Sequence, residues 1–212
     1  MDRIIEKTLE NLKKNNMAAY YAETKEDALE IVKGLLKKGE TISCGGSETL
    51  KECKIRDHMD SGDYNFLDRA KTNGADEMNE LYRKCFFCDT YLTSANAVTE
   101  AGELINVDGN CNRIAAILYG PKSVICVVGK NKLVADVPAG FKRVKTVAAP
   151  LNTKRLGCNT PCAKSGICIK PDGMPSEGCD SPDRICVNYV VGGKQRIKDR
   201  VKVIICNENL GY

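Results

Sequence analysis

LTSANAVTEAGELINVDGNCNRIAAILYGPKSVICVVGKNKLV, residues 92–134, alternates polar turns with short apolar runs. The turns are Ser94-Ala95-Asn96, Glu100-Ala101-Gly102 and Asp108-Gly109-Asn110. The β-branched run Ser123–Val128 is bounded by turn signals and reads as a buried strand, and Leu104–Val107 reads as a second. Between them, Asn112–Tyr119 reads as a helix closed by Gly120-Pro121. Acidic, amide and basic side chains therefore gather at strand ends, where open α/β sheets place their ligands. The expected fold class is α/β, with a mostly parallel sheet carrying helices on both faces.

TSANAVTEAGELINVDG, followed by NRIAAILYGP and VVGKNK, closely resembles the LUD domain, the lactate-utilisation family. The resemblance runs from GGSETL near residue 45 through RVKTVAAPLN near residue 143 to the closing NENLGY. It implies a three-layer αβα fold of the sugar-phosphate isomerase and CoA-transferase type, as one LUD-like domain over residues 1–212. It also implies a link to lactate oxidation, and glycine where this chain has Cys111.

Working outward, a chain of 212 residues at 42% hydrophobic can bury one good core and does not demand two. With 32 basic and 28 acidic residues spread along it, no stripe or tail suggests nucleic-acid binding. The N-terminal MDRIIEKTLENLKKNN lacks the apolar centre of a signal peptide, and no run of about 18 apolar residues suggests a membrane span. A cytoplasmic protein is expected, and there twelve cysteines point to metal or catalytic roles before disulfides.

Ile4, Ile5, Leu9 and Leu12 share one face of a first helix. Residues 17–22 look extended, and Thr24 with Asp27 forms a capping box for a helix ending near Gly39. Thr41-Ile42-Ser43 is a strand, and Cys44-Gly45-Gly46-Ser47-Glu48-Thr49 a glycine turn into a helix. Such a turn lets a ligand approach the backbone, and the helix amides can hold an anion, with Ser47 and Thr49 adding hydroxyls. The competing reading is a plain turn with Ser47 as its cap. The superfamily resemblance favours Gly45, Gly46, Ser47 and Thr49 as ligand-binding, and Glu48 is the discordant charge. His58, the only histidine, lies among charged, turn-like neighbours and reads as an exposed loop residue rather than a relay member. Asp68-Arg69 either lines the pocket, as the resemblance implies, or forms a surface ion pair. Cys85-Phe86-Phe87-Cys88 has CxxC spacing, but its apolar setting favours core.

Glu100 and Asp108 are the candidate catalytic carboxylates. The resemblance casts Glu100 as nucleophile or proton carrier, and burial at a strand end would raise its pKa toward that of a base; the alternative for both is tying off loop amides. Asn96 and Asn112 offer amides, Arg113 a planar fork and Lys132 a mobile cation. Together they suit a small anionic metabolite: a hydroxy acid, a phosphate ester or CoA. No dinucleotide, P-loop, zinc-protease or esterase fingerprint is present.

Phe141–Leu156 looks helical with an interruption near Pro150, and its basic cluster faces either an anion or solvent. Beyond it, Cys158, Cys162, Cys168, Cys179 and Cys186 fall within 29 residues alongside prolines 161, 171, 175 and 182. So few apolar side chains cannot fold that stretch by burial, whereas thiolates around a metal would cross-link it. It reads as a metal-binding lobe, residues 157–188, inserted before a last strand at Arg200–Cys206. Zinc and a [4Fe–4S] cluster both suit thiolates, and the two stay open, with the link to lactate oxidation compatible with an electron-carrying cluster. Cys162, Cys168 and Cys186 resemble family positions, leaving Cys158 or Cys179 to complete the set. Two roles stay open: a protein acting on or binding the metabolite, and a non-catalytic partner or sensor for an iron–sulfur oxidoreductase.

Overall fold

The computed structural model describes all 212 residues. The chain begins with α1 (Arg3–Lys14), β1 (Ala18–Ala22), α2 (Lys25–Leu35), β2 (Thr41–Cys44), α3 (Glu48–Glu52), α4 (Ile55–Met59) and β3 (Asn65–Leu67). It continues through α5 (Ala75–Lys84), β4 (Thr90–Thr93), β5 (Ala97–Thr99), β6 (Leu104–Asp108), α6 (Asn112–Leu118), β7 (Ser123–Gly129) and β8 (Leu133–Val134). Last come α7 (Val137–Arg143), α8 (Ala149–Leu156), α9 (Pro161–Ser165), β9 (Asn188–Gly192) and β10 (Val201–Cys206).

Six strands form a wholly parallel sheet in the order β1-β10-β7-β4-β2-β3. A strand covered on both faces reads as a continuous apolar run, and β7 shows how each face is filled. Ile125 and Val127 point to the face covered by α2, α3 and α4. Val124, Cys126 and Val128 point to the other, where Ile5, Leu9 and Leu12 of α1 pack. The Thr24–Asp27 capping box is present and starts α2 as expected.

A second sheet, β8-β5-β6-β9, lies over that other face and is largely antiparallel. The two strands expected from residues 92–134 therefore belong to different sheets. β6 pairs with β5 and β9, while β7 sits in the parallel sheet. A short apolar run does not name its partner, and here the tight turn at Gly102 folds β6 back on β5. Gly102 has φ +80°, and a Cβ there would lie 2.7 Å from the backbone of α1. Only glycine lets that turn seat on the helix.

Between α7 and α8 the chain makes a π-helical turn, Val144–Ala148. Pro150 cannot donate to the carbonyl four residues back and would clash with it, so the widened turn replaces the expected break. Residues 157–187 are almost devoid of regular structure apart from α9. Two strands follow this stretch, β9 in the second sheet and then β10, so the cysteines precede β9 rather than the last strand. No helix is long and apolar enough to cross a membrane.

Candidate functional site

After β2 the chain turns into α3 on one face of the parallel sheet; after its neighbour β4 it crosses to the second sheet on the other. Diverging connections open a crevice beyond the carboxyl ends of the strands. A cavity of about 320 Å³ occupies it, lined from three strand ends: Gly45, Gly46 and Ser47 after β2, Ser94 and Asn96 after β4, and Lys132 after β7. Asp108, Asn112, Arg113, Arg155, Cys186 and Tyr212 also line it. The sequence had named most of these residues, and the fold brings them to one place.

Lys132 is the unusual member. Its side chain is 3% exposed, and its ammonium donates only to hydroxyls, Thr49 Oγ1 at 2.9 Å and Ser94 Oγ at 3.0 Å. No carboxylate pairs with it. Burial, followed by repulsion from Arg143, pulls its pKa down from 10.5 to about 7. The C-terminal residues help keep this corner closed: Asn131 holds Leu210 N and Gly211 O, and a Cβ on Gly129 would lie 2.5 Å from Leu210 N. Thr49 thus acts from behind the wall, positioning the amine while donating to Leu210 O.

Arg113 proves to be a brace rather than an anchor. Nη1 donates to Ser94 O and Asn106 Oδ1, and Nη2 to Asn96 Oδ1 and Val107 O, at 2.7–3.1 Å. All four terminal N–H groups are thereby engaged by the protein, so little remains for a ligand. The guanidinium stem lies over Gly45, where a Cβ would come within 2.8 Å of Arg113 Cδ. Asn96 is likewise occupied, accepting from Val107 N as well as from Arg113. Asp108 accepts from the amides of Arg113 and Ile114 at 3.1 and 3.2 Å, tying the start of α6. These are the loop-tying roles that the sequence offered as the alternative, and Asp108 lines the cavity while filling one of them.

Arg69 supplies the open cation that Arg113 does not. Its Nη2 would sit 2.6 Å from a Cβ on Gly46, and no protein group accepts from its guanidinium. Asp68, its neighbour, turns away to Arg56 at 2.5 Å and accepts from Ala70 N at 2.7 Å. Hence Asp68-Arg69 is not one ion pair. Glu48, discordant in the glycine turn, is 3.6 Å from Arg155 and is partly neutralised by it. Ser47 accepts from Leu50 N and caps α3, so the plain-turn reading holds for its oxygen while the residue still lines the cavity.

Glu100 is outside the cavity. It pairs with Lys7 at 2.8 Å on the α1 side, and its carbonyl accepts from Asn11. The Gly102 turn that docks on α1 carries Glu100 away from the cavity that the other candidate residues line. His58 also lies elsewhere, half-buried in α4 with Nε2 2.9 Å from Tyr64 Oη. Cys85 and Cys88 are buried among Tyr91 and Ala116, the core role expected of them. Cys111 has φ +63°, a conformation that suits the glycine implied there. The expected basic cluster fans out: Arg143 supports Asn96 O, Arg155 faces the cavity, Lys142 meets Asp172, and Lys145 turns inward.

All twelve cysteines are free thiols. A second, smaller cavity is lined by Cys162, Cys168, Cys179 and Cys186 with Lys145, and Cys158 is not among its residues. Four of the five candidate ligands therefore share one cavity lining, and Cys158 stands apart from it.

The fold and this strand-end crevice define a layered α/β protein with a parallel central sheet. More particularly, the LUD domain model matches residues 5–206, and the chain belongs to that family. It is similar to the crystal structure of a DUF162 family protein from Deinococcus radiodurans, with a TM-score of 0.52 at 16% identity over 96% of both chains. A ribose 5-phosphate isomerase A from Methanocaldococcus jannaschii aligns over 89% of this chain and 82% of its own, at 14% identity and a TM-score of only 0.37. No curated protein matches the chain.

Proposed function

We propose that this LUD-domain protein binds, and through Lys132 acts on, a small anionic metabolite in the strand-end cavity. A hydroxy acid or a phosphate ester suits a space of about 320 Å³, and a CoA thioester could reach it with its acyl end. The observation that carries the reading is a buried lysine without a carboxylate partner, in the same cavity as an unengaged arginine. A bound carboxylate or phosphate would supply the missing counter-charge to both. Close to neutrality Lys132 is divided between ammonium and amine, so it can hold the anion or, as the amine, accept a proton from a carbon or hydroxyl next to it.

The family link to lactate utilisation makes lactate the first candidate, and phosphate esters follow from the fold class. Thermal melting with lactate, ribose 5-phosphate and CoA tests the reading. At least one anion should raise Tm in the wild type and fail to do so in Lys132→Met. If none shifts Tm at millimolar concentration, the proposal fails.

A further inference from the structure

We infer that Cys162, Cys168, Cys179 and Cys186 form a four-thiolate metal site against the wall of the strand-end cavity, with Cys158 outside it. The four line one small cavity although they span 25 residues of sequence. Burial does not explain its order. Between residues 157 and 188 only Thr160 and Cys162 are buried, while Ile167, Ile169, Met174 and Val187 are each 45–68% exposed. A segment with no core of its own needs cross-links, which ligation by four thiolates provides.

Charge and hydrogen bonding point the same way. Lys145 is 1% exposed, lines this cavity, and donates to the carbonyls of Met174 and Glu177 at 2.6 and 2.8 Å, with no acidic side chain paired to it. Arg184 gathers the carbonyls of Cys179 and Cys186 and also lacks a carboxylate. Two uncompensated cations suit a centre that becomes anionic when four thiols give up their protons to bind metal. Tyr189, beside Cys186, carries the one buried side-chain oxygen without a hydrogen-bond partner, and a Cys186 thiolate would accept its proton in a hydrogen bond. The amide of Lys170 is 3.5 Å from Cys168 Sγ, a donor that supports a ligating thiolate.

No three acidic, histidine or cysteine side chains converge closely enough to hold a single ion. One zinc, at about 2.3 Å from each sulfur, would have to draw the segment inward, and an iron–sulfur cluster would take the same four thiolates at wider spacing. Cys186 lines both cavities, which places the metal site beside the proposed metabolite.

The test is metal content after anaerobic purification and reconstitution with ferrous iron and sulfide, followed by gel filtration. Wild type should retain about four iron and four sulfide per chain and turn brown. Cys168→Ser, Cys179→Ser and Cys186→Ser should each lose at least half of it, and Cys158→Ser none. About one zinc per chain with the same pattern of loss would uphold the ligand set and assign a single ion. Cys162→Ser is the variant most exposed to misfolding, because its thiol is buried; the three half-buried positions decide the matter without it. Absence of retained metal in the wild type, or equal loss in Cys158→Ser, overturns the inference. Metal retention is read without any metabolite, so this outcome is independent of the anion-binding test.

Discussion

Replacing Lys132 by Met should make the protein more stable at pH 7, not less. A fall from the ordinary lysine value of 10.5 to about 7 means that the buried ammonium is disfavoured by on the order of 5 kcal/mol relative to the unfolded chain. The unfolded chain keeps this proton up to about pH 10.5, and the folded chain only up to about 7. The contribution of Lys132 to unfolding free energy is therefore lowest below pH 7 and rises as the pH climbs toward about 10. Methionine fills similar space without charge. Thr49 keeps Leu210 O as its acceptor and Ser94 keeps Ala95 O, so neither hydroxyl is stranded by the change. With part of the gain lost to imperfect packing, Lys132→Met should add about 2–4 kcal/mol at pH 7. Urea denaturation of both proteins at pH 7 and pH 10 checks this, and the advantage of the variant should shrink at the higher pH. A variant less stable than wild type at pH 7 would refute the reasoning, because it would mean that the ammonium is held by contacts that favour its charge.

The same amine sets the pH dependence of ligand capture: anion affinity, measured by calorimetry, should fall by up to about tenfold per pH unit above 7 as the free protein loses the ammonium. Arg69→Gln should weaken anion binding by at least about tenfold while leaving the unfolding free energy in urea within about 0.5 kcal/mol, because its guanidinium supports no other group. Arg113→Met should do the opposite and destabilise by about 3 kcal/mol or more, since it removes the side-chain donor from Asn106 Oδ1 and Val107 O. Glu100→Gln should cost less than about 1 kcal/mol and leave anion affinity unchanged, because its pair with Lys7 is solvent-facing and outside the cavity.

Several features of this protein were legible because they are local. The β-branched run at Ser123–Val128 can only be satisfied by burial on both faces, and it is a central strand of the parallel sheet. Thr24 and Asp27 satisfy one another's backbone within a single turn, so the capping box needed no distant partner. Gly45-Gly46 marked the close approach beyond β2, although the group that comes close is Arg69 rather than a backbone anion cradle alone. The roles of the polar residues were not local. Glu100 and Lys132 look equally suited to chemistry in the sequence, and docking of the Gly102 turn on α1 separates them.

Periodicity, turn chemistry and cysteine density by themselves determined the α/β class, the stretch that supplies much of the pocket, and the segment that holds the thiols. Tertiary structure alone decided which side chains are free to act. Whether a guanidinium is a brace or an anchor depends on the carbonyls that reach it, as the contrast between Arg113 and Arg69 shows. Whether a lysine is an ordinary cation or an amine titrating near neutrality depends on the desolvation imposed by chain far away in sequence, here Thr49, Ser94 and the residues around Leu210. Sequence spacing fixes chemistry at the residue, but solvent and partners are removed or supplied only by the folded whole.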